Sequence, residues 1–186
     1  MVLNNWNNLA QSDKETVKQQ LTQFASSPLT DITSPTNKLI ATQLSVVIAE
    51  IVKREWPQHW PSFFPLCQQL SSTLNGAHLV LRILALVGEA AFTPSATLPE
   101  RRRKELQAGV MTHKSELVSL LRVLLESTWQ LCEKQPHSAV SRLALSACVS
   151  ALDAYVDKLS FSLLQEEGIL QWLAKLALVP SIAGDV

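Results

Sequence analysis

The chain has 186 residues, 16 Lys and Arg against 16 Asp and Glu, 47% hydrophobic and 17% charged residues. That length makes one compact unit or a segment of something longer, and the composition is that of a packed globular chain. A net charge of zero excludes a protein that grips nucleic acid over its whole surface, because each neutralised phosphate takes a Lys or Arg; only local patches remain.

Ser12 with Glu15 three residues on reads as a capping box, and Val17, Leu21 and Phe24 recur at helical spacing, which predicts a first helix over 12–25. The Ser, Pro, Thr and Asp of 26–36 predict a loop. A broad apolar stripe from Leu39 to Val52 predicts a second helix over 36–55, ended by Trp56-Pro57. A short third helix follows Pro61, with Asn75-Gly76 as its break, and a strongly apolar fourth spans 77–92 up to the turn at 93–95. The fifth runs from Pro99 to about Lys134, with Gly109 as a point of breakage; the sixth covers 138–158, and the seventh 166–178 with Gly168 in its first turn. No strand pattern competes.

Seven helices with short connections fit either a bundle or a stack of antiparallel pairs. The even-numbered helices are apolar around most of their circumference, as a helix sandwiched between neighbours must be. This favours an all-α, right-handed HEAT-type superhelix of three to four pairs, with 1–186 as a single unit. The polar residues left on those helices each keep to one side: Gln43, Glu50 and Arg54; His78, Arg82 and Glu89; Arg142, Ser146, Asp153 and Asp157. Side-by-side stacking would align them into one surface, which is either a contact face or a solvated one.

KREWPQHWP at 53–61 is the least generic stretch. Two Trp-Pro steps, Trp56-Pro57 and Trp60-Pro61, place large rings at a helix corner, and packing is the default role for such rings over ligand binding. The phrase IVKREWPQHWPSF resembles the exportin branch of the importin-beta superfamily, HEAT-repeat nuclear transport receptors. The opening around Trp6, LVGEAAF at 86–92, LPERRRKEL at 98–106 and DAYVDKLS at 153–160 extend the similarity over roughly residues 3–180, towards exportins that carry pre-microRNA hairpins and other structured RNA. The resemblance implies the GTP form of the GTPase Ran as a partner, held by inner helices, with Glu50, Arg54, Arg82, Glu89, Asp153 and Asp157 as contact candidates. Arg82, Asp153 and Asp157 rest on helical phase alone, and Ala90 departs from the pattern where exportins often carry a second acid. It further implies structured RNA or protein cargo, nuclear pore proteins, and shuttling between nucleus and cytoplasm. The chain then reads as an amino-terminal part of a longer receptor, lacking a first repeat and ending at LVPSIAGDV without a capping helix, a fragment or a short isoform.

The run Arg101, Arg102, Arg103, Lys104 is a candidate RNA contact, against the alternative of a solvated first helical turn. Catalysis has no support: His59, His78, His113 and His137 fall in separate elements, with no metalloprotease, nucleophile-elbow or phosphate-loop pattern, and no cofactor motif is present. Cys67, Cys132 and Cys148 lack any CxxC spacing and are expected as buried hydrophobes in a reducing compartment, and Trp129 and Trp172 as core. No secretory signal opens the chain, and uninterrupted apolar runs such as Ile83–Val87 fall far short of the ~20 residues needed to cross a bilayer, so a soluble intracellular protein without a membrane partner is expected. The other functional class consistent with these residues is a helical adaptor that binds a peptide or protein helix without any GTPase.

Overall fold

The computed structural model describes residues 6–27, 34–94, 98–135 and 138–177. Among them the helices are α1 (Gln11–Ala25), α2 (Pro35–Glu55), α3 (Phe63–Leu70), α4 (Leu74–Phe92), α5 (Glu100–Thr112), α6 (Lys114–Lys134), α7 (Ala139–Asp153), α8 (Phe161–Glu166) and α9 (Ile169–Ala177). No strand is present among the described residues. α4 packs most extensively against α2 on one side and α7 on the other, while α1, α3 and α6 back this row and α8 and α9 lie against α6. The pairs α1/α2, α3/α4 and α6/α7 therefore stack as HEAT-type units, with α2, α4 and α7 as the inner members.

α4 explains why the stack holds. Eleven of its nineteen residues are buried, among them Leu79, Val80, Leu81, Ile83, Leu84 and Val87, so it presents apolar surface to both neighbours and to the outer layer. It is long and apolar enough to cross a membrane by length and composition, a property that counting uninterrupted runs missed, but 61% of that stretch is buried inside the protein, as befits a core helix.

Several local expectations are corrected. α1 starts one residue earlier than read, with Ala10 at its N-cap and no side-chain cap; Glu15 receives Lys18 and Gln11 rather than closing a box with Ser12. α4 begins at Leu74, so Asn75-Gly76 lies in its first turn, where the cap Thr73 accepts from the Gly76 amide at 3.1 Å. The long fifth helix divides at His113 into α5 and α6. Gly109 is not the break but a seat: a β-carbon there would stand 2.8 Å from Trp56 Cζ3 and 3.1 Å from Pro57 Cδ. α7 ends at Asp153, leaving Asp157 in the turn that follows. Gly168, at φ +73°, separates α8 from α9 instead of opening a helix, because only glycine enters the left-handed region without strain. Residues 178–186, including LVPSIAGDV, lie outside the described residues, as does His137.

The Trp-Pro corner joins these units. Trp56 and Trp60 are both buried, and the Trp56–Pro57 bond is cis. The Trp56 ring meets Phe64 at 5.6 Å, Phe63 at 6.2 Å and His113 at 5.5 Å, which ties the end of α2 to α3 and to the α5/α6 junction. Trp60 lies beneath the Lys18 ammonium at 5.6 Å, which ties the same corner to α1. The acid of the motif, Glu55, is 4% exposed; its Oε1 accepts from the Trp6 indole at 2.8 Å and faces Lys14 Nζ at 3.4 Å, while Oε2 faces Lys18 Nζ at 3.7 Å.

Candidate partner-binding surface

Each inner helix turns its apolar side to the outer layer and leaves one stripe open. On α2 that stripe holds Leu39, Gln43, Val46 and Glu50; on α4, Arg82 and Glu89; on α7, Ser146 and Asp153. The three run parallel. Arg82 Nε donates to Ser45 Oγ at 3.3 Å, and each of these residues lies ten before the last residue of its helix; Ala85, Gly88 and Phe92 line one cleft with Ser150, Ala154 and Asp157. Glu50, Glu89 and Asp153 consequently lie toward the C-terminal ends of their respective helices, on the open side of the row.

The α4–α7 cleft, about 310 Å³, brings together Glu89, Asp153 and Asp157 with Thr93, Ser150 and Lys158. Its floor exists because residue 88 is glycine: a β-carbon would come within 2.7 Å of Tyr155 Cζ and 2.8 Å of Ala154 Cβ. The buried Tyr155 hydroxyl donates to Leu84 O at 2.7 Å and fixes the end of α7 against α4, and burial pushes that phenol well above its ordinary range. Asp157 thus reaches the cleft by the turn after α7 rather than by helical phase, and it pairs with Lys158.

Glu50 and Arg54 belong to a second depression, lined also by Asn7, Lys53, Leu98, Pro99 and Arg102. Arg54 Nη1 donates to Glu50 Oε2 and to its carbonyl, each at 2.6 Å, and Lys53 pairs with the same carboxylate. Partial burial pushes the Glu50 carboxyl up, but the hydrogen bonds and charges of Lys53 and Arg54 outweigh it and hold it below the usual carboxylate range. Arg82 stands on the α4 stripe beside Ser45 of α2. His78, read as part of the same polar stripe, is instead 4% exposed, its Nδ1 without a partner and its imidazole pushed down to about 4 by burial and by the nearby charges of Arg82 and Lys38.

The four-cation run does not act as one patch. Arg102 is only 17% exposed: its Nε donates to Lys53 O at 2.8 Å, its Nη2 to Trp56 O, and its Nη1 to Gln58 and Glu105, so it caps the last carbonyls of α2. Arg101, 92% exposed, pairs with Glu105, and Lys104 pairs with Glu100; Arg103 is half-buried. Sequence reasoning missed Glu55, Lys18 and the capping role of Arg102, although the unusual acid inside the Trp-Pro phrase was a usable signal for the first. Trp129 and Trp172 form an edge-to-face pair at 5.9 Å on α6 and α9 with Lys175 4.2 Å over Trp172, half-buried on the outer layer rather than in the core. Cys67 and Cys148 are buried and their thiols pushed up by desolvation, whereas Cys132 is only half-buried.

Stacked helix pairs with a charged inner face define a helical-repeat protein. The sequence profile of the family described as "Exportin 1-like protein" matches residues 37–182, and the chain belongs to that family within the importin-beta superfamily. It is 27% identical to human Exportin-5 over 165 residues, which cover 84% of this chain and 14% of that protein. Exportin-5 of Dictyostelium discoideum is 27% identical over 146 residues (76% of this chain, 12% of the relative), and the EXPORTIN 1B protein of Arabidopsis thaliana 26% over 151 residues (78% and 13%). The chain therefore spans about a seventh of the length of these relatives or less.

Proposed function

We propose that this chain is the part of a nuclear export receptor that binds Ran in its GTP form, within a protein that shuttles between nucleus and cytoplasm with structured RNA or protein cargo. The observation that carries the reading is the parallel row α2–α4–α7, whose open stripes hold Glu50 with Arg54 beside it, Arg82, Glu89 and Asp153, with Asp157 joining the α4–α7 cleft from the turn after α7, in a chain of exportin family. GTPase and cargo that bind one curved scaffold better together than apart are coupled by mass action, and hydrolysis on the GTPase then releases both; the receptor supplies binding energy and no chemistry. Contact with pore proteins belongs to the same reading.

A pull-down with Ran loaded with GTP or GDP tests it. Retention of the GTP form alone is expected, with loss in a Glu50→Ala, Glu89→Ala double variant. Equal retention of both forms, or of neither, would favour the adaptor class and reject the transport reading; retention unchanged in the double variant would reject this choice of residues.

A further inference from the structure

Toward the C-terminal ends of the inner helices charge is sorted, not mixed; Arg142, the exposed cation of α7, stands in the first turn of that helix, at the opposite end from Asp153. At the α2 end one carboxylate, Glu50, is matched by both Lys53 and Arg54, and Arg82 adds a further cation beside Ser45. At the α7 end Glu89, Asp153 and Asp157 share their cleft, among the described residues, with one cation, Lys158. α4 and α7 carry no basic residue in their last turns, where the helix dipole already places partial negative charge. α2 also exposes Leu39 at 61% and Val46 at 38% along the same open stripe. Exposed apolar side chains on a face that carries both signs of charge have the anatomy of a protein–protein contact; a track for nucleic acid would keep one sign throughout.

We infer that this face accepts a protein surface of split polarity, with carboxylates over Arg54 and Arg82, Lys or Arg side chains over Glu89, Asp153 and Asp157, and an apolar side chain against Val46. The inference rests on the Ran reading and specifies the chemistry of that contact: Glu50 serves mainly to hold Lys53 and Arg54, and the acids that meet the partner are those of the α4–α7 cleft.

Affinity for GTP-loaded Ran, measured by titration calorimetry on the parent chain and on Arg54→Glu, Asp153→Lys and Val46→Asp, decides the matter. A partner face of uniformly positive sign would bind Arg54→Glu more tightly, and one of uniformly negative sign would bind Asp153→Lys more tightly. Split polarity makes both reversals weaken binding, by about tenfold each, since like charges are then juxtaposed at both ends. Val46→Asp weakens it as well, and Arg54→Gln, which adds no repulsion to Glu50, serves as the variant whose circular dichroism must match the parent while its affinity still falls. Tightening by either reversal, or an unchanged constant in Asp153→Lys or in a folded Arg54→Gln, overturns the inference while parent binding stands. A parent chain that binds no GTP-loaded Ran overturns the Ran reading and this inference with it.

Discussion

Glu55→Ala removes in one step the acceptor of the Trp6 indole and the carboxylate that faces Lys14 and Lys18. A lysine that is 3% exposed loses part of its compensation, although Glu15 and His59 O still hold it at 2.7 and 2.8 Å. Breaking a buried pair from one side costs about 3–5 kcal/mol, and the surviving partners place this variant near the lower end, about 3 kcal/mol by urea unfolding at unchanged m. Glu55→Gln keeps an acceptor for Trp6 and is expected to lose about 1–2 kcal/mol. His78 supplies the pH dependence. Its imidazole titrates near 4 when folded and near 6.5 when unfolded, so the unfolded chain binds the extra proton between those values. The His78 contribution to stability is thus full above about pH 6.5, declines as pH falls towards 4 by about 3 kcal/mol, and levels off below. The groups responsible besides burial are Arg82 and Lys38, which repel a second cation. His78→Leu, compared with the parent by unfolding at pH 5 and pH 7.5, should flatten the difference between the two pH values; an equal slope in both proteins would exclude His78 as its source.

At the scale of elements, the junctions between helices carry more information than the helices. Arg102 on α5 caps α2, and Gln107 Nε2 donates to Ala91 O at 2.6 Å, so this one short helix closes the carbonyl ends of two inner helices. Arg102→Ala is expected to cost about 2 kcal/mol, the scale of hydrogen bonds made by a charged group to backbone, and to lower the melting temperature by several degrees. Arg101→Ala, at a 92% exposed position beside it, should change stability by about 0.5 kcal/mol or less. Equal melting temperatures for the two variants would show that the run is indeed solvated. Gly109 and Gly88 act at the same level, each admitting a ring, Trp56 or Tyr155, where a β-carbon would collide. Both are legible in sequence only as helix weakening, which is why 109 suggested a break. The ring that needs the space comes from residues more than 40 positions away.

Over the whole molecule, the stacking of α2, α4 and α7 turns three separate amphipathic patterns into one face. Helical phase put Glu89 and Asp153 on open stripes correctly, because the 3.6-residue period fixes where a side chain stands on its own helix. It misjudged His78, which lies in phase with Arg82 but near the buried end of α4, and it reached Asp157 through a helix that has already ended. The split of charge between the α2 end and the α7 end was not legible at all, since each stripe taken alone carries both signs.

The order of letters determined the helical class, the apolar faces that demand stacking, and the Trp-Pro phrase that carries the resemblance to exportins, because these depend on local periodicity and on backbone limits set within a few residues. Only the tertiary arrangement decided which charges are already spent inside the chain, as at Arg102 and Glu50, and which stand open in the α4–α7 cleft. Electrostatic partnership is settled by distances of a few ångströms between residues remote in sequence, and those distances exist only once the pairs have stacked.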